Sequence, residues 1–189
     1  MLRRLADVVT DCTRAFGQYD HSRALERAEE FFWSFCDDYL ELVKARAYGE
    51  RGGAGAASAV AALRGALSVL LRLFAPFLPF ACEEAWSWWQ DGSVHRAAWP
   101  DSGPLSALAG DGDPAMLDAA SAAIAAVRKA KTEARTSMRT PVSALVVTAP
   151  RDHLALLAGA AGDVRAAGRV EHVELRAASG PAAGYDVSF

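Results

Sequence analysis

Between Arg23 and Tyr48 the apolar residues recur in steps of three and four: Leu25, Ala28, Phe32, Phe35, Tyr39 and Leu42, with Phe31, Cys36, Leu40 and Val43 widening the stripe. That period is helical. Asp20 stands ahead of it as an N-cap carboxylate, and Gly49 behind it as a stop. A face this wide, carrying three phenylalanines with Trp33 nearby, needs cover on two sides. The segment predicts a long helix inside a bundle, and the rest of the chain has to fit around it.

The neighbours repeat the pattern. Leu2, Leu5, Val9, Cys12 and Phe16 form one helical stripe, and Gly17 is expected to end it by taking positive φ. Arg51 to Ala57, rich in glycine and alanine, reads as a mobile loop. Val60, Leu63, Leu67, Leu70 and Phe74 mark a third helix, interrupted by Pro76 and Pro79. Pro79 suits the first turn of a fourth helix through Trp89, closed by Gly92. Residues 93 to 112 are loop-like. Asp113-Pro114 starts a fifth helix, reaching about Met138, with Leu117, Ala120, Ile124, Val127 and Ala134 on one face and Pro141 as its stop.

Then the period changes. Val142 to Thr148 is β-branched and bounded by prolines, hence a strand. A helix over Asp152 to about Ala167, a strand over Val170 to Leu175 and a third over Tyr185 to Phe189 complete a small α/β appendage. The expected fold is mainly α: an antiparallel helical bundle over 1–112, then a linker helix and α/β subdomain over 113–189.

Composition excludes several classes. Hydrophobic residues make up 52% of the 189 and charged residues 23%, a globular balance. No run of about 18 apolar residues is free of charge, so no membrane span is expected. The N-terminus meets Asp7 before an apolar core develops, unlike a signal peptide. Cys12, Cys36 and Cys82 are isolated among apolar neighbours, which suits buried thiols in a reducing cytoplasm and neither zinc nor a disulfide framework. The net charge is −3, yet residues 20–50 carry −4 and residues 123–151 carry +5.

Catalytic patterns are missing. His21, His95, His153 and His172 have no metal-ligand spacing, and Gly52-Gly53-Ala54-Gly55 lacks a preceding strand that would let it cradle phosphate. Asp37-Asp38 and Glu83-Glu84 are adjacent on helices, so their side chains point about 100° apart instead of converging. One member of each pair should make a structural contact while the other meets solvent. Trp86 and Trp89 share a core face, whereas Trp88 or Trp99 could stack on a base. Arg128, Lys131 and Arg135, three and four apart, would share a helix face able to meet phosphate.

Four segments carry a resemblance. RALERAEEFFWSFCDDYLELVKARAYGE, Arg23 to Glu50, resembles the valyl branch of the class I aminoacyl-tRNA synthetases. LLRLFAPFLPFACEEAWSWW, Leu70 to Trp89, and SVHRAAWP, Ser93 to Pro100, are similar to segments of the same enzymes' anticodon-binding domain. Ile124 to Val142 looks like their following linker helix and strand. The resemblance implies an anticodon-binding bundle that grips the anticodon stem-loop of valine tRNA, partnered by the catalytic domain of the same synthetase in the cytoplasm. The signatures His-x-Gly-His and Lys-Met-Ser-Lys-Ser are nowhere in the sequence. ATP and magnesium would therefore serve a catalytic domain outside this chain, and no cofactor is expected in it. Arg3 and Arg4 at a helix start, where amides also favour phosphate, and Arg14 are the further tRNA-binding candidates. The first helix is expected to be truncated at Met1. The rival reading is a helical protein-interaction module detached from tRNA.

Overall fold

The computed structural model describes residues 1–178, 180 and 182–189. Its elements run α1 (Leu2–Gly17), α2 (His21–Ser34), a π turn (Phe35–Tyr39), α3 (Leu40–Ala47), α4 (Gly53–Phe74), α5 (Pro79–Ser87), a 3-10 turn (Val94–Arg96), α6 (Ser102–Ala109), α7 (Ala115–Glu133), β1 (Val142–Ala149), α8 (Arg151–Gly168), β2 (Val170–Ala177) and β3 (Gly184–Ser188). The chain forms two compact units, Met1–Asp37 with Ala57–Asp111, and Asp38–Ala56 with Gly112–Phe189.

The first unit is helical. α1 packs on α2 and α6, burying Leu2, Leu5, Val9 and Cys12 along the expected stripe. Asp20 caps α2 through Arg23 N at 3.1 Å. The end of α1 differs from expectation. Gly17 remains helical and Tyr19 takes the left-handed backbone (φ +59°). Tyr19 N then reaches Phe16 O and Asp20 N reaches Ala15 O, so the last carbonyls are satisfied by a Schellman-type turn.

The long central helix exists but is not regular. A π turn at Phe35–Tyr39 inserts one wide turn, and the division between the units falls inside it, at Asp37/Asp38. Coverage is narrower than the apolar stripe suggested. Ala24, Ala28 and Phe35 are buried, Phe31 and Phe32 are half-buried, and Trp33 is 56% exposed. Phe32 meets Phe74 edge-on at 5.5 Å, and Phe31 stacks on Phe35 at 6.2 Å.

α4 begins at Gly53, so most of the glycine-rich stretch expected as loop is helix. Its buried stripe is Ala59, Ala66, Val69, Leu70 and Leu73, rotated from the predicted one. Val60 and Leu67 are exposed. By length and composition alone α4 could cross a membrane, but Arg64 stands in its middle and this stripe is buried within the helical unit. Pro79 opens α5 as expected. The expected loop over 93–112 contains α6, capped by Asp101, whose carboxylate accepts from Gly103 N at 3.0 Å.

The second unit is the α/β body. Parallel pairing of β1 with β2 and antiparallel pairing with β3 give the order β2-β1-β3. α8 packs on β1 and β2, and α7 on α8 and β3. Leu145, Val147, Leu157 and Val164 are wholly buried, each worth about 1.5–3 kcal/mol in transfer from water. Asp38–Ala56, which the sequence grouped with the helical body, also clusters here. Leu42 enters this core, and Arg46 and Arg51 both pair with the mostly buried Asp163, at 2.9 and 2.7 Å.

Candidate nucleic-acid interface

The helical unit sets its charged and aromatic residues at different places along α1. Arg3 donates to Gly110 O at 2.5 Å, and half-buried Arg4 lies beside it. Arg14 lies eleven residues on, about 16 Å along the axis at ~1.5 Å per residue. The three do not make one patch. Arg14 pairs with Asp11, whose other oxygen holds Arg27 at 3.2 Å, so part of its charge is already compensated.

Aromatic rings gather where α1 ends. Phe16 meets Trp99 edge-on at 5.1 Å, His21 at 5.5 Å and Phe77 at 5.9 Å. Trp99 is fixed there by donating Nε1 to Thr13 Oγ1 at 2.8 Å, which makes it a packing residue first. Beside these rings in sequence, Tyr19 is 85% exposed and Phe80 90%. Trp88 is 74% exposed, its indole N–H resting on Glu84 at 3.1 Å. Exposed rings of this kind suit stacking on splayed bases of single-stranded RNA. Sequence reading found Trp88 but missed Tyr19 and Phe80. Phe80 could have been found, since it lies off the Cys82/Trp86 stripe of its helix.

The paired carboxylates divide their roles as expected. Glu83 Oε2 accepts from Ser93 Oγ and Val94 N, each at 2.9 Å, and so fastens the 3-10 turn to α5, while Glu84 stays exposed. Asp38 pairs with Arg128 at 3.5 Å. On α2, Leu25, Glu26, Glu29, Glu30 and Trp33 line a shallow crease whose carboxylates repel phosphate, so this face is unsuited to RNA.

In the α/β unit the predicted basic face is rearranged. α7 ends at Glu133, well before Pro141, so Arg135 is not on the helix with Arg128. Arg135 adopts φ +51°; its N–H reaches Thr132 O and that of Thr136 reaches Lys131 O. Arg169 ends α8 in the same backbone region, φ +53°. Each left-handed arginine costs about 1 kcal/mol relative to glycine. Lys131 is only 2% exposed. Its ammonium donates to Gly168 O at 2.9 Å and Met138 O at 3.0 Å, tying the end of α8 to the loop after α7. Burial, and then Arg169, hold its pKa below the usual lysine value. A buried ammonium with two carbonyl partners serves the fold and cannot reach a phosphate, so Lys131 leaves the contact set proposed from spacing.

Among the described residues no group of three His, Cys, Asp or Glu is arranged to hold a metal. The free thiols of Cys12, Cys36 and Cys82 are all pushed up in pKa, by burial foremost.

Residues 1–146 match the family described as the anticodon-binding domain of tRNA ligase. Over 180 residues, 95% of this chain, the sequence is 55% identical to the valine--tRNA ligase of Leifsonia xyli, of which it covers 20%. It is 59% identical over 170 residues to that of Thermobifida fusca, covering 90% of this chain and 19% of the relative. For Salinispora tropica the figures are 53% over 195 residues, 96% of this chain and 23% of the relative. The chain thus spans about a fifth of the length of these curated relatives.

Proposed function

The chain belongs to the anticodon-binding domain family of tRNA ligases, and from that premise we propose that it is the part of a valine--tRNA ligase that binds the anticodon stem-loop of valine tRNA. The observation that carries the reading is the combination of the family match over residues 1–146 with 53–59% identity to valine--tRNA ligases along nearly the whole chain.

The chemistry of the helical unit supports it. Tyr19, Phe80 and Trp88 offer exposed rings for unstacked bases. Arg3, Arg4 and Arg14 supply positive charge along α1 for the backbone, and Arg128 and Arg135 do so in the second unit. Valine activation with ATP and magnesium, and transfer to the tRNA, belong to the catalytic domain that the chain partners in the cytoplasm.

Filter binding of the chain to valine tRNA, to an unrelated tRNA and to valine tRNA with its anticodon bases replaced tests the proposal. Preference for the unaltered valine tRNA at moderate salt is the expected result. Equal affinity for all three would overturn it.

A further inference from the structure

Helices α7 and α8 of the α/β unit close on arginines in a backbone conformation that glycine adopts more readily, in a chain that holds fifteen glycines. Their surroundings bring these residues together. Because Lys131 Nζ bonds both Met138 O and Gly168 O, the next residue on each segment, Arg139 and Arg169, becomes its neighbour's partner: Arg169 Nη1 donates to Arg139 O at 3.3 Å. Arg135 rises from the same turn, held by Thr136 N bonding Lys131 O. The loop between them is braced by Thr136 and Thr140, whose hydroxyls lie 2.6 Å apart, and by Arg139 N donating to Ser137 Oγ at 3.2 Å.

All three arginines are exposed, and none of their guanidiniums meets a carboxylate among the described residues. Elsewhere Arg14, Arg27, Arg46, Arg51, Arg128 and Arg176 pair with carboxylates, whereas these three, at the ends of α7 and α8, show no ion pair among the described residues. The buried ammonium of Lys131 adds to the field beneath them. Nothing here offers a flat base-reading surface. The donors are forked, flexible and cationic, which fits phosphate oxygens.

We propose that Arg135, Arg139 and Arg169 form a phosphate-gripping surface that gives the α/β unit its own sequence-independent contact with the backbone of structured RNA. It rests on the reading of the chain as RNA-binding but not on recognition of the anticodon. Arg135 and Arg139 lie within residues 1–146, which match the family, and Arg169 lies beyond them.

Binding of the whole 189-residue chain to valine tRNA and to an unrelated tRNA, measured from about 50 to 200 mM KCl, tests it. The variants are Arg135→Gly with Arg169→Gly, and the same pair with Arg139→Gln. Each phosphate contact contributes roughly 0.7–0.9 to the slope of log affinity against log salt. The triple variant should flatten that slope by about 2 and weaken low-salt binding at least tenfold, equally for both tRNAs, since phosphates carry no sequence information. Its glycines suit the left-handed positions, so its thermal midpoint should match or exceed the parent's. That separates lost contacts from lost folding. Unchanged slope and affinity overturn the proposal while leaving anticodon recognition standing if the parent still prefers valine tRNA. A parent without that preference, whose slope nonetheless flattens in the variants, retains this surface and overturns the anticodon reading. Binding to anionic phospholipid vesicles with none to either tRNA overturns both.

Discussion

Replacing Lys131 by methionine keeps the length of the side chain and removes its ammonium. The group is 2% exposed and donates to Gly168 O at 2.9 Å and Met138 O at 3.0 Å. Leaving a buried acceptor unpaired costs about 1–3 kcal/mol. The Gly168 carbonyl is enclosed and should incur most of that. The Met138 carbonyl is partly accessible, so water replaces part of what it loses. Against these stands the relief of no longer burying a charge, whose cost is visible in the depressed pKa. The balance is a loss of about 1–2 kcal/mol. With a urea m-value of ~2 kcal/mol per molar, the unfolding midpoint followed by circular dichroism should fall by about 0.5–1 M. Lys131→Arg, too long for the same enclosure, should not restore it. A midpoint within about 0.2 M of the parent, together with a large loss of tRNA affinity, would refute this reasoning and return Lys131 to the RNA surface.

Gly162 presents a test of sign. A Cβ there would lie 2.3–2.5 Å from the Arg51 guanidinium, which pairs with Asp163, while alanine favours helix by about 1 kcal/mol. Gly162→Ala should therefore be near neutral in the parent but stabilising by about 1 kcal/mol in an Arg51→Ala background, as urea unfolding of the four proteins would report. Glu83→Ala, which releases Ser93 and Val94, should cost about 1–2 kcal/mol in the same assay, whereas Glu84→Ala should cost under ~0.5 kcal/mol. Thiol titration of the native chain should find half-buried Cys36 reacting first and Cys12 and Cys82 only as the helical unit opens. Because burial raises its pKa, the midpoint of the Cys36 rate against pH should lie above that of a free thiol; three equal fast rates would contradict the packing.

What was legible in the sequence is whatever depends on neighbours within a few residues. The period of three and four placed α1, α2, α4 and α7, the β-branched run placed β1, and the alternation after Gly168 placed β2. Caps obey the same short range: Asp20, Pro79 and Asp113 begin helices because a carboxylate or proline satisfies or spares the first amides. The resemblance in Arg23–Glu50 and Leu70–Trp89 pointed to the family because it lies in residues themselves.

The tertiary structure decided whatever depends on partners far along the chain. Lys131 counted as a surface cation until the fold set Gly168 O, thirty-seven residues away, against its ammonium. The regular helix predicted from Arg23 to Tyr48 is broken by the π turn, because its two ends enter different cores: Ala24 and Ala28 that of the helical unit, Leu42 that of the α/β unit. Which of two adjacent apolar stripes on α4 turns inward is a packing decision: Ala59, Ala66, Val69, Leu70 and Leu73 are buried, while Val60 and Leu67 are exposed. Left-handed backbone likewise fell to Tyr19, Arg135 and Arg169, while nearby Gly17 and Gly168 remained helical, because carbonyls at a helix end are closed where the chain must turn, whatever residue stands there. Periodicity records which side of a helix is apolar. Only the folded chain determines what that side meets, and which charges find a partner before water does.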